Sequence, residues 1–285
     1  MNLSEFYSLY SDEQNCIELF KRIYLKRLGS CKKCDSNSLK WYTSFTGWRC
    51  KKCSHRMSLK SLTFMRDSNL SFSDWLEIIF LQLQEKKSTS IKEITRLSKQ
   101  SRYGTVAYAV KKIRAELINI NTSQTPSKVA CINFNLSEDF HDVNSLDTPK
   151  IPPTIILHIN PSSNRKRDKI HLSLDLKETL IYKRISEFKR DSSSREYRKL
   201  LISKRFPVSD KKKMLFIKNS WYKKIKENLI KCIKGVYHQT TLFHLEGILG
   251  EYSFKYNNRH HRNSKYLIFL VHSSKLVRQN CVCSM

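Results

Sequence analysis

The sequence predicts an α+β chain of two folding units. Three observations carry that prediction: two C-x2-C pairs near the N-terminus, helical apolar periodicity between about residues 71 and 117, and strand-like segments after residue 129 that give way to helices. At roughly 100 to 200 residues per domain, 285 residues are enough for two.

Between Ser4 and Leu28 the apolar residues Phe6, Leu9, Tyr10, Ile17, Leu19, Phe20, Ile23 and Tyr24 recur at the spacing of two short helices, a helical segment over 1–28. Cys31-x2-Cys34-x15-Cys50-x2-Cys53 follows, and each C-x2-C turn presents two sulfurs to one tetrahedral ion. Four thiolates complete the shell of a zinc ion and leave no position for an activated water, so the expected zinc is structural. Its binding would help fold a segment too short for a core of its own. His55 is a spare ligand nearby, with a surface role the simpler reading. Between the pairs, SLKWYTSFTGWRC alternates aromatic and polar residues and predicts a hairpin turning at Thr46 and Gly47, which makes 29–66 a zinc ribbon.

Ser71 to Gln84 opens with cap candidates Ser71, Ser73 and Asp74 and runs on through Trp75, Leu76, Ile78, Ile79, Leu81 and Leu83, a largely buried helix. Ser88, Thr89 and Ser90 offer caps for IKEITRLSKQ, SRYG supplies a turn, and TVAYAVKKIRAELI places Val106, Ala109, Val110, Ile113 and Leu117 on one face. This pattern over 71–120 reads as a helix-turn-helix, and pattern alone also fits an ordinary helical hairpin.

The polar, proline-containing stretch from Asn121 to Lys128 marks the boundary between units. Beyond it VACINF, TIILHI, KIHLSLDL, LIYKRI and MLFI read as strands, and Trp221 to Lys234 and Thr241 to Tyr256 as helices.

Lys and Arg total 53 against 25 Asp and Glu, a net charge of +28 with a pI near 9.8. That balance points to a polyanionic partner, the alternative being a solvated lysine-rich surface. Lys32, Lys33, Arg49, Lys51, Lys52, Arg56 and Lys60 crowd the cysteine pairs, and Lys111, Lys112 and Arg114 belong to the second helix of the turn motif. We take Lys32, Lys33, Arg49, Lys51, Lys52, Lys111, Lys112 and Arg114 as candidate DNA contacts, since basic side chains neutralise phosphates. The interleaved Trp41, Tyr42, Phe45 and Trp48 can stack on bases or fill a small core, and core is the simpler reading.

No apolar run approaches the 18 or so residues of a membrane span, and the N-terminus is acidic where an export signal is basic, so a soluble, intracellular protein is expected, nuclear in a eukaryote. Nine cysteines is an odd count, and Cys16, Cys131, Cys232, Cys281 and Cys283 are scattered, a pattern that favours metal ligation in a reducing compartment.

The run WRCKKCSHRMSLKSLTFMRDSNLSFSDWLEIIFLQ, followed by the helix pair ending KKIRAEL, resembles the N-terminal half of Merlin-type transposases and related bacterial insertion-sequence transposases. GVYHQTTLFHLEGILGEYSFKYNNRHH, Gly235 to His261, is similar to that family's closing segment, with one extra asparagine before Arg259. The resemblance spans about Phe6 to His261 and is weak between Asn121 and Asn219. It implies DNA as partner, in particular the terminal repeats of a mobile element, and allows a homodimer. It also implies an RNase H-like domain over 126–262, followed by a tail over 263–285, in which acidic residues hold two divalent ions. Here the family's first aspartate is matched by Asn133, and its second by Asp191, which as a helix cap has an equally good structural role. The third ligand position falls near Ser220 and Lys223, with Asn219 one residue away and Glu227 a turn later. The resemblance therefore leads to a transposase-derived DNA-binding protein with an impaired catalytic domain. One alternative is an active DDE transposase using magnesium or manganese through Glu138 or Asp139, Asp191 and Glu227. Another is a zinc-ribbon transcription or RNA-associated factor, against which the transposase-like ending counts.

Overall fold

The computed structural model describes residues 2–124, 130–135, 154–160, 169–174, 220–237, 242–261 and 264–273. The architecture is α+β and divides into two compact units, Met1–Ile120 together with Asn258–Met285, and Asn121–Asn257.

In the first unit, helices α1 (Leu3–Tyr10) and α2 (Glu13–Leu28) precede a small antiparallel sheet of β1 (Leu39–Tyr42), β2 (Gly47–Cys50) and β3 (Arg56–Ser58). The hairpin pairs Tyr42 with Gly47, as the alternating sequence anticipates. The left-handed residue in its turn is Thr46, at φ 47°, and the glycine serves another need. A Cβ on Gly47 would stand 2.4 Å from the Met57 carbonyl oxygen, so only glycine lets β2 lie this close to β3.

Three helices follow: α3 (Phe72–Leu83), α4 (Ile91–Leu97) and α5 (Tyr103–Gln124). Ser71 caps α3 by accepting the Asp74 amide at 3.0 Å, and Ser90 caps α4 by accepting the Glu93 amide at 3.1 Å. The stripe Val106, Ala109, Val110, Ile113 and Leu117 of α5 is buried. α5 begins earlier than its sequence pattern indicates, so Tyr103 and Gly104 lie in its first turn.

Polar side chains fasten these helices. Both oxygens of Glu13 on α2 accept amides at the α3 N-terminus, from Phe72 and Ser73 at 2.8 Å each. The buried Glu77 of α3 accepts from the Tyr7 hydroxyl of α1 and, at 3.1 Å, from the Lys99 amide in the α4–α5 turn.

The segment read from sequence as a tail contains helix α8 (Lys265–Ser273), which packs on α2 and α3 of this first unit. Its Tyr266 ring meets Phe80 edge-on at 5.6 Å, and Phe80 stacks on Phe6 at 4.2 Å. The buried Lys265 ammonium donates to the Gln84 carbonyl at 2.9 Å, satisfying an orphan acceptor at the end of α3.

The second unit holds an antiparallel sheet of β4 (Ala130–Asn135), β5 (Thr154–Asn160) and β6 (Lys169–Leu174), with helices α6 (Ser220–Cys232) and α7 (Leu242–Asn257). Ile155, Leu157, Ile170 and Leu172 of the sheet pack with Ile225, Leu229, Leu245, Ile248 and Leu249 of the helices. α7 also closes the free edge of β6. Asn257 accepts the Ile170 amide and donates to the Ile170 carbonyl, both at 2.8 Å, and Ser253 accepts the Leu172 amide at 3.0 Å. The strand readings LIYKRI and MLFI lie outside the described residues.

Candidate metal centre and basic surface

The two cysteine pairs are copies of one another, each reading Cys-Lys-Lys-Cys. In the first, the Asp35 amide donates to the Cys31 carbonyl at 2.9 Å and the Cys31 amide to the Ser36 carbonyl at 2.9 Å. In the second, Ser54 donates to Cys50 and Cys50 to His55, both at 3.0 Å. Each loop turns on a left-handed residue at the same place, Asp35 at φ 54° and Ser54 at φ 57°. This fold of the loop turns both sulfurs of a pair to one side.

The loops face each other and bring the four thiols together. Cys31 Sγ lies 3.6 Å from Cys53 Sγ, and Cys34 Sγ 3.6 Å from Cys50 Sγ. All four sulfurs fall within 4.8 Å of one another. A tetrahedral zinc ion with bonds of about 2.3 Å requires sulfurs about 3.8 Å apart, so the cluster fits such a metal with little adjustment.

The backbone is arranged for thiolates. The Lys33 amide donates to Cys31 Sγ at 3.4 Å. The amides of Cys53 and Lys52 do the same for Cys50, and despite burial they draw its thiol down to about 6. Cys34 receives a lowering hydrogen bond from Ser36. The adjoining Cys53 thiol, burial, and the Cys50 and Cys31 thiols outweigh it and push Cys34 up to about 12. Four sulfurs this close cannot all hold charge without a cation, and a divalent metal removes that conflict. His55 lends its carbonyl to the second loop, and among the described residues the group that could hold a metal consists of the four cysteines.

The charge around the cluster is basic. Lys32, Lys33, Lys51 and Lys52, the central residues of both pairs, are exposed, and Arg49 on β2 is half-buried. Four thiolates around a divalent ion leave a double negative charge, which four neighbouring ammonium groups exceed. Of the aromatics, Trp48 is core at 2% exposure, with Trp41 edge-on to it at 4.8 Å. Tyr42 and Phe45 stack at 5.8 Å and stay half-exposed, with Lys40 over Tyr42 and Arg56 over Phe45. Lys60 is structural: its ammonium donates to the Ser68 and Leu70 carbonyls, and burial pulls its pKa below the usual lysine range.

On α5 the three basic residues expected to project together do not. Lys111 is exposed, whereas Lys112 donates to the Arg66 carbonyl and lies over the Tyr108 ring. Arg114 is buried at 7% exposure. The helix periodicity explains it, because Arg114 flanks Val110 and Leu117 on the apolar arc.

In the second unit Asn133 stands on β4, paired across the strands with Ile156. Lys223 and Glu227 are exposed on α6, whose first residue is Ser220. Asp191, Glu138, Asp139 and Asn219 lie outside the described residues. The carboxylates of Glu13, Asp74 and Glu77, which hold the first unit together, were not singled out by sequence reasoning beyond a capping role for Asp74. An acidic residue inside an apolar helix, as Glu77 is, was the available signal.

Comparison with family models, curated proteins and solved structures gives no significant match. Among the described residues, no helix is long and apolar enough to cross a membrane.

Proposed function

We propose that the chain is a DNA-binding protein derived from a Merlin-type transposase, in which a zinc ribbon and a helix-turn-helix contact DNA and an RNase H-like domain has lost cleavage activity. The observation that carries the binding half is the four-thiol cluster ringed by the exposed Lys32, Lys33, Lys51 and Lys52. A metal that orders both loops also orders the lysines, so phosphate neutralisation by this surface depends on the metal. The net charge of +28 supports a polyanionic partner.

The four cysteines suit zinc in a structural role: they fill its coordination shell and hold the loops, and no ligand position remains for chemistry. The α+β second unit is compatible with an RNase H-like domain. The loss of cleavage rests on charge. Two metal ions about 3.5 to 4 Å apart need several carboxylates to offset their repulsion. The chain offers a neutral amide at Asn133 where the resemblance calls for an aspartate, and an ammonium at Lys223 where it calls for an acidic or amide ligand.

The purified protein is expected neither to cut nor to join DNA in magnesium or manganese, whatever terminal repeats are supplied. Activity created by Asn133→Asp with Lys223→Glu would support the positions assigned to the lost ligands. Cleavage by the natural chain that Asp191→Ala abolishes would overturn the impaired-catalysis reading and leave the binding half standing.

A further inference from the structure

Among the described residues six large apolar side chains are exposed, and three of them, Leu97, Tyr103 and Tyr108, fall within twelve residues around the α4–α5 turn. Tyr103 and Tyr108 are 51% and 41% exposed. Exposed Arg102 and Lys111 interleave with them, and Lys99, also exposed, holds its ammonium 5.6 Å over the Tyr7 ring of α1. The outward arc of α5 is otherwise small, with Gly104 and Ala115 exposed and Ala107 half-buried, so another molecule can approach the helix closely. The sole acid of α5, Glu116, is buried, and Glu93 of α4 is paired with Arg96 at 2.6 Å. A close-approach face with aromatic and cationic side chains matches a polyanion that has flat apolar edges.

The face is held in place before anything binds. The Lys99 amide is fixed on Glu77 at 3.1 Å, and the Gln100 side chain donates to Asp74 at 3.0 Å. A cleft of about 560 Å³ opens beside it, lined by Asp67, Ser68, Asp74, Gln100, Arg102 and Tyr108 among others, and both of its acids are engaged, Asp67 with Arg66 at 3.4 Å and Asp74 with Gln100. At a rise of 1.5 Å per residue, Tyr103 to Lys111 covers about 12 Å, the span of three to four base pairs at roughly 3.4 Å each.

Resting on the DNA-binding reading, we infer that this face, and not the Lys111-Lys112-Ile113-Arg114 run, reads base edges in the major groove of duplex DNA. Arg102 carries the guanine contact, because a guanidinium can bond O6 and N7 together. The rings of Tyr103 and Tyr108 pack against thymine methyl groups. The lysines of the cysteine loops then supply phosphate contacts, which position the protein and carry no sequence information.

The test is selection from a randomised duplex pool with the full zinc-loaded chain, followed by affinity measurement on the enriched motif and on unrelated duplex. The natural chain is expected to enrich a guanine-containing motif. Arg102→Lys keeps the charge and is expected to lose preference at one guanine by about tenfold or more. Tyr103→Ala with Tyr108→Ala is expected to lose a similar factor elsewhere in the motif. Arg102→Lys should keep binding to unrelated duplex within about twofold, since the charge is kept. Tyr103→Ala with Tyr108→Ala also removes the Tyr108 contacts with Lys112 and the Asp67 carbonyl, so its preference is taken as the ratio of motif to unrelated duplex for that same variant. If the variants enrich the same motif with the same preference, or the natural chain binds duplex and enriches nothing, the inference is overturned while DNA binding stands. If the natural chain binds no duplex at all, the DNA-binding reading fails first, and this one with it.

Discussion

Among the described residues two three-stranded antiparallel sheets stand in different units, and they hold themselves together by different means. The β1–β3 sheet has strands of three or four residues, with a cluster of four thiols at one end. The β4–β6 sheet has strands of six or seven residues, an apolar core shared with α6 and α7, and a free edge sealed by Asn257 and Ser253. Strands as short as those of the first sheet bury too little apolar surface to offset their ordering, and in the proposed zinc-bound form the ion makes up the difference. The second sheet needs no such help. Removing a metal ligand and removing an edge hydrogen bond should therefore damage different parts of the protein.

The sharpest way to break the comparison is Cys50→Ser. Bound zinc is expected to fall from one per chain to near zero, removing a contribution on the order of 10 kcal/mol, as in small zinc peptides. Amide exchange should accelerate throughout Leu39 to Ser58 while the Ile170 and Leu172 amides keep their protection. Undiminished zinc in this variant, or equal loss of protection in both sheets, would contradict the division. Proton release accompanies zinc uptake by thiols, so zinc affinity should weaken as pH is lowered.

The converse change is Asn257→Ala, which strips the Ile170 amide and carbonyl of their partners on α7. Unfolding of the second unit is expected about 1 to 3 kcal/mol easier by denaturant titration, with zinc content unchanged. A loss of zinc would mean that the two units do not stabilise independently.

The smallest effect is a gain. Ser54 occupies the left-handed region at φ 57°, where a side chain costs roughly 1 kcal/mol. Ser54→Gly relieves that and is expected to slow zinc loss to a chelator by a few-fold; faster loss would show that the loop's left-handed turn does not limit metal retention.

Local pattern made much of this legible. The C-x2-C spacing marked the thiols that the fold assembles, and the apolar periodicity from Val106 to Leu117 marked the face that it buries. The strand readings over β4, β5 and β6 rested on β-branched alternation and match within a residue or two. Residues whose partners are remote in sequence escaped it. Lys265 reads as an ordinary charge until it reaches the Gln84 carbonyl 181 positions away, and α8 reads as a tail until Tyr266 meets Phe6 and Phe80. Arg114 misled for a related reason: a basic residue in a basic run looks solvated, and only its place on the helix arc reveals its burial. Asp191 lies outside the described residues, so its place rests on the resemblance alone.

The central claim is that a metal-ordered set of lysines grips DNA phosphates, and the salt dependence of duplex binding tests it most directly. Each neutralised phosphate contributes about −0.9 to the slope of log affinity against log salt concentration. For the zinc-loaded chain a steep slope is expected, and replacing Lys32, Lys33, Lys51 and Lys52 together by alanine should flatten it by roughly 3 to 4 with zinc content retained. Stripping the zinc from the natural chain should flatten it in the same way. A slope that stays the same after either change, or a natural chain whose binding ignores salt, would contradict the account.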